Sequence, residues 1–325
     1  MYYSRKHTEA LNAELIFSEK NLEENNAYNF RLVQNRIGGL FIENEGCGFR
    51  VSRDDDAHYF YEHNLQESHF AVATERRYGL LQKYISSLYI YHFHDTSSTS
   101  WLRRGCDLND NLFLRPDGRN LPAFLYFLKR NHPVFFNRIQ QIIQSVIPHL
   151  NEMILEPVTL MGGQRKIELR WIDRGDPDSS FSAYQLSDGT LRFIALTTLL
   201  LQVSPPAIIV IDEPELGLHP MALAKLAGMI RVAVSNDTQI IVATQSGSLI
   251  GHFVPEDIVV VDRSISGNHT VFGRPGSESL SLWLDDETLG DLWQRGIVDA
   301  SLPIPPAASP AHAYTTAPPE SPSSL

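Results

Sequence analysis

From residue 10 to residue 51 apolar and polar positions alternate, interrupted by Asn-rich and Gly-rich turns. A period of two belongs to strands with one buried face, so this stretch predicts three or four antiparallel strands. From about 58 to 90 the period lengthens, with Tyr78, Leu81, Ile85 and Leu88 at helical spacing. A second helical region over 121–150 is broken near Pro133, because proline lacks the N–H and its ring clashes with the preceding turn. "EPVTLMGGQRKIELRWID", 156–173, reads as two strands.

Over 186–263 the character changes. "LSDGTLRFIALTTLLLQ" reads as a helix, "AIIVIDE" as a strand, "PMALAKLAGMIRVAVS" as a helix, and "TQIIVATQS" and "DIVVVDR" as strands. Continuous Ile/Val strands separated by helices predict an α/β fold with a parallel sheet covered on both sides. Ligands of such open sheets bind at the carboxyl edge, where Asp212, Glu213, Gln245 and Ser246 fall. From Ala300 the chain is rich in Pro, Ala and Ser and has too few large apolar residues to fold. The predicted division is therefore 1–57 antiparallel strands, 58–150 helical lobe, 151–299 α/β core and 300–325 disordered tail.

At 325 residues and 43% hydrophobic content the chain can bury a full core. Its formal net charge of −11 argues against wrapping nucleic acid or anionic lipid by bulk electrostatics. Arg76, Arg77, Arg103, Arg104, Lys129 and Arg130 are the only candidate basic patch, and a solvated helical face explains them more simply. Cys47 and Cys106 are the only cysteines, and their spacing suits neither a metal nor a disulfide framework. No apolar run approaches membrane-spanning length and the N-terminus has no signal-peptide core, so a cytoplasmic protein is expected.

The chemistry concentrates in two places. "IIVIDEPELGLHP", 208–220, delivers Asp212 and Glu213 at a strand end, as a Mg-nucleotide site needs; a strand running into a helix N-terminus would give the same string. "QLSDGT", 185–190, leads a Ser-x-Gly loop into an apolar helix, pointing N–H groups outward toward an anion; alone it is an ordinary N-cap. It is their order along the chain that raises the signal. "LSDGT…IIVIDEPELGLHP…IIVATQS" resembles the signature loop, Walker B strand, D-loop and switch of ABC-type ATPases, in the version of predicted AAA-family ATPases related to SMC, RecF and OLD-type heads. "YHFHDTS", "LRPDGRNLPAFLYFLK", "DIVVVDR" and "WLDDETLGDLWQRG" are similar to further segments of that family, so the likeness reaches about residue 297.

The resemblance implies a P-loop NTPase-like, ABC ATPase-type fold, with ATP and Mg2+ as cofactors. Asp212 would be the magnesium-side carboxylate and Glu213 the catalytic base, while Ser187, Asp188 and Gly189 would reach the γ-phosphate held by a second head. Glu215 to His219 occupies the D-loop region, and Gln245 stands where many such enzymes have a switch His. Two heads, a homodimer or a P-loop-bearing partner, would sandwich the nucleotide, with DNA as a candidate client. One expected part is missing. The Walker A loop G-x-x-x-x-G-K-[ST] does not occur; "GGQRKI", 162–167, has the wrong spacing and Ile167 in place of the hydroxyl residue. The family places that loop before the antiparallel strands, so the expectation is a lost N-terminal strand and helix, with strand edges and apolar surface left uncovered; the alternatives are a natural remnant and a non-catalytic subunit that donates its signature. In "HFHD", His92 and His94 could share a metal, although a packed, hydrogen-bonded junction is the plainer reading. "FLYFLKRNHPVFF", 124–136, reads as lobe core.

Overall fold

The computed structural model describes residues 2–3, 6–7, 10–18, 25–34, 39–49, 58–70, 82, 85–235, 238–263, 270–275, 287–298 and 302–303. The chain forms two units, residues 1–86 with 304–325, and residues 87–303.

In the first unit β1 (Tyr2–Tyr3) pairs antiparallel with β2 (Lys6–His7). β3 (Ala10–Ser18), β4 (Asn25–Gln34), β5 (Leu40–Phe49) and β6 (His58–Leu65) make a four-stranded antiparallel meander. The alternating pattern thus yields its strands, and a fourth extends over 58–65, where a helix was expected. Tyr28, Ser68 and the His69 N–H all donate to the fully buried Glu45 side chain, which satisfies its oxygens away from water. Gln82, Ile85 and Ser86 are helical; Tyr78 and Leu81 lie outside the described residues.

The second unit opens on β7 (Leu88–Tyr91), not on a continued helix. Its aromatic and β-branched residues suit a pleated surface, with Tyr91 buried and Ile90 exposed. β8 (Cys106–Asp107) precedes two helices, α1 (Leu121–Asn131) and α2 (Pro133–Val146), separated where Pro133 starts the second. Phe124, Leu125, Leu128 and Phe136 are buried, as the lobe-core reading required. β9 (Leu150–Ile154), β10 (Val158–Thr159), β11 (Arg165–Ile167), β12 (Arg170–Asp173) and β13 (Asp176–Ser182) form small antiparallel sheets, β10-β11-β8 and β13-β12-β9. "GGQRKI" is the turn and return strand of the β10–β11 hairpin, with Gly162 and Gly163 at φ +94° and +81°.

The centre of the unit is α3 (Asp188–Leu201), apolar around most of its circumference and buried from Leu191 to Leu201. β14 (Ile208–Asp212), α4 (Pro220–Ser235) and β15 (Gln239–Ala243) follow as a β–α–β unit. β14 is the middle of a parallel sheet of order β15-β14-β7. Ile209, Ile211 and Tyr91 face the core shared with α3 and α4. The opposite face carries a row of register partners, Ile90, Val210 and Ile241, with Ile90 47% and Ile241 49% exposed. Among the described residues this sheet is therefore covered on one face only, where the all-apolar strands predicted two.

Two further corrections concern the C-terminal part. α5 (Gly247–Ile250) leads to β14's predicted companion over 257–263, but β16 (Val260–Arg263) joins β17 (Thr270–Arg274) antiparallel in a separate sheet. Val261 is 56% exposed, as suits a two-sided hairpin outside the core. α6 (Leu289–Gln294) packs on α5, where a Cβ on Gly290 would meet the Gly247 carbonyl oxygen. β18 (Leu302–Pro303) pairs with β17 inside the expected tail; residues 304–325, like Asp285 and Asp286, lie outside the described residues.

Candidate functional site

Strand register fixes the site. Asp212 ends β14 opposite Ala243 of β15, and the Glu213 N–H donates to the Ala243 carbonyl oxygen at 2.8 Å. Glu213 then turns with φ 39°, the only non-glycine residue at positive φ among those described. A bulky side chain held there stores strain of about 1–3 kcal/mol, a cost that clusters at functional turns. Asp212 and Glu213 are both half-buried, with their carboxylates at the carboxyl edge of the sheet.

The loop after Glu213 is anchored on three sides. Thr244, past the end of β15, donates its hydroxyl to Glu215 Oε1 at 2.5 Å, leaving the buried Glu215 Oε2 without a hydrogen-bond partner among the described residues. Gly217, at φ +72°, lies against Gly189 in the first turn of α3. Arg192, one turn further, donates from Nε to the Phe93 carbonyl at 2.9 Å, from Nη2 to the His94 carbonyl at 3.0 Å, and from Nη1 to the Leu216 carbonyl. Burial lowers the Arg192 pKa from the usual guanidinium range, and Asp188 partly opposes this. Its three carbonyl partners still carry the group's donors.

Ser187 caps α3: its Oγ accepts from the Thr190 N–H at 3.1 Å and donates to Thr190 Oγ1 at 2.9 Å. Asp188 pairs with Arg103 at 2.5 Å. Arg103 is itself buried and donates to the carbonyls of Thr96, Ala183 and Leu186. It belongs to no solvated basic face, whereas Arg104 lies over Trp101 and Lys129 reaches Glu152 at 3.5 Å; Arg76 and Arg77 fall outside the described residues.

Ser187, Gly189, Gly217 and His219 line one cleft of about 200 Å³, together with His149 and Thr190. Two motifs distant in sequence, 185–190 and 208–220, are thereby brought to one place. Asp212, Glu213 and Gln245 are not among its lining residues. The exposed Gln245 sits beyond β15, its carbonyl accepting from Trp293 Nε1 at 3.3 Å. His94 supplies the junction expected of "HFHD": its Nε2–H donates to the Asp212 carbonyl oxygen at 2.7 Å.

Sequence reasoning missed Arg192, Thr244, His149 and Trp293, and read Arg103 as part of a solvated face rather than as a buried anchor. Of those missed, only Arg192 had a readable signal, as the one cation in an otherwise largely apolar run from Leu191 to Leu201.

A family model described as "AAA domain, putative AbiEii toxin, Type IV TA system" matches residues 52–251, well over half the chain. No curated protein matches it. Among solved structures it is similar to an SMC head bound to the C-winged helix domain of ScpA, at 14% identity over 80% of this chain and 78% of that one, with a TM-score of 0.41. It is also similar to the SMC head domain from Thermotoga maritima, at 10% identity over 77% and 74% with a TM-score of 0.36. The SMC head of Pyrococcus furiosus, bound to the C-terminal domain of ScpA, gives 10% over 82% and 81% with 0.37. No described helix is long and apolar enough to cross a membrane.

Proposed function

The chain belongs to this AAA-domain family, and from that premise we propose that it is an ABC-like ATPase head in which ATP held between two heads drives their closure and release. One observation carries the reading: the loop that follows Asp212 and Glu213 packs, through Gly217, on Gly189 at the amino end of α3. On this reading the carboxylate pair and the signature loop are joined by that backbone contact.

Asp212 would give Mg2+ one hard oxygen ligand, which suits an ion that keeps most of its water. The unpartnered Glu215 Oε2 adds an acceptor in the same loop that a hydrated cation or a water would satisfy. When bound, Mg2+ neutralises charge on the nucleotide's phosphates. Glu213 would take the proton of the attacking water, its carboxylate aimed by the turn at φ 39°. Gln245 would orient by hydrogen bonding without taking a charge. Because the Ser187 hydroxyl is engaged by Thr190, the group offered to a terminal phosphate is the N–H set around Asp188 and Gly189, with His219 across the cleft.

The 325 residues contain no G-x-x-x-x-G-K-[ST], so turnover requires that loop from another segment or subunit. The exposed Ile90–Val210–Ile241 row supports a further layer on the sheet. A second reading is favoured by the prebuilt signature, with Asp188 held by Arg103 and Ser187 by Thr190: the chain donates this loop to a P-loop-bearing partner's nucleotide without holding one itself. Defence or DNA-directed work in the cytoplasm fits either reading.

Fluorescent ATP binding separates the two. A head that holds nucleotide binds Mg-ATP once the P-loop is present in the same chain, and Glu213→Gln in that form abolishes turnover while retaining ATP-driven association. A donor subunit binds none alone and associates only with a loaded partner. Unchanged turnover in Glu213→Gln sinks the catalytic assignment.

A further inference from the structure

Two histidines with no role in the nucleotide reading meet Asp212, which has one: a nitrogen of His92, a nitrogen of His94 and a carboxylate oxygen of Asp212 lie within 4.8 Å of one another. We propose that these three side chains form a binding site for a divalent first-row transition ion of the zinc, cobalt or manganese kind.

Topology explains why they meet. Tyr91 and Ile211 are register partners in the parallel β7–β14 pair, so the next residues, His92 and Asp212, emerge side by side at the carboxyl edge. The chain then leaves the strand, and His94 folds back so that its Nε2–H donates to the Asp212 carbonyl at 2.7 Å. That bond selects the tautomer with the lone pair on Nδ1. A ring with one nitrogen donating to a backbone carbonyl and the other free to ligate is the usual state of a metal-bound imidazole. Arg192 engages the backbone carbonyl of His94 at 3.0 Å and leaves the ring unobstructed by that bond.

The donor set decides the class of ion. Two imidazoles and one carboxylate on one side, with open positions on the other, suit Zn2+, Co2+, Mn2+ or Fe2+. Magnesium prefers oxygen alone and gains little from the two nitrogens. The ligand atoms lie no more than 4.8 Å apart, and metal–ligand bonds of about 2.1 Å in a tetrahedral site set neighbouring ligands roughly 3.4 Å apart, so each group need move inward by at most about 0.8 Å. His92 is exposed and half-buried His94 sits on a loop, so this movement needs no repacking of the core. The proposal does not rest on the nucleotide reading, since all three ligands belong to this chain and the ion is titrated without nucleotide.

The test is a titration of the full chain with Co2+, without nucleotide, following the visible absorption of the bound ion. The expected result is a single tight site in the wild type and in His252→Ala. His92→Ala and Asp212→Asn should lose the bands, or weaken Co2+ by more than about tenfold. Zn2+ should displace the ion stoichiometrically while millimolar Mg2+ does not. His92→Ala removes an exposed side chain, so it reports on the site even where Asp212→Asn unfolds. Absence of the bands in the wild type, their persistence in His92→Ala, or their loss to Mg2+ at concentrations that match Co2+ overturns the proposal. The readout is absorption of the bound Co2+ and needs neither ATP binding nor turnover, and His92→Ala tests the site without altering a residue of the nucleotide reading.

Discussion

Gly189 approaches Gly217 so closely that a Cβ on Gly189 would meet the Gly217 carbonyl oxygen. Backbone cannot yield as a flexible side chain can, so Gly189→Ala should cost about 1–3 kcal/mol. Gly217→Ala should cost about 1–2 kcal/mol for another reason, its φ of +72°. Urea unfolding measures both. Equal midpoints for Gly189→Ala and the wild type would mean that α3 and the 213–219 loop do not touch in solution.

Arg103 should matter more than its ion-pair partner. Arg103→Met strands the carbonyls of Thr96, Ala183 and Leu186, and a loss of about 3 kcal/mol is expected in chemical denaturation. Asp188→Asn removes the charge of a side chain that is 65% exposed, so its cost stays below about 1 kcal/mol. The opposite ranking would contradict the buried-hub description.

The two faces of the parallel sheet should answer differently. Ile209→Ala empties a buried position and is expected to cost about 2–5 kcal/mol. Ile241→Thr, on the exposed row, should change stability by less than about 0.5 kcal/mol. Thermal unfolding that ranks them alike would show that something covers the second face.

Acid should loosen α6. The side-chain and backbone hydrogen bonds of Thr288 lower the Asp291 pKa below the usual carboxylate value. A depressed folded pKa stabilises above the unfolded value, about 3.9, and that contribution is lost as pH falls through the folded one. The Trp293 indole N–H, which donates to the Gln245 carbonyl, should therefore shift in NMR spectra below about pH 4. Asp291→Asn should remove this pH dependence.

Cys106 should be inert. Burial pushes its thiol up to about 11, so alkylation near pH 8 should be slow in the native protein and rapid in urea.

Local chemistry was legible in the sequence. Pro133 separates two helices, Ser187 caps α3, Asp212 ends a buried strand, and the alternation over 10–51 becomes strands, each because one residue or one period decides the outcome. What depended on distant partners was not. β7 reads as helix until β14 pairs with it, because four residues carry too little period to choose. The 260–263 strand reads as parallel because its Ile/Val composition says nothing about which neighbour it meets. Arg103 finds the carbonyls of Ala183 and Leu186, and Arg192 those of Phe93 and His94, 80 to 99 residues away, contacts that no local pattern encodes.

The central claim is that the amino end of α3 serves a nucleotide held by another head. The direct measurement is single-turnover ATP hydrolysis by a P-loop-bearing head of this family, with the chain added as wild type or as Ser187→Arg. Stimulation by the wild type, absent with a Ser187→Arg protein of unchanged unfolding midpoint, is the predicted result. Equal stimulation by both, or none by either, would contradict it.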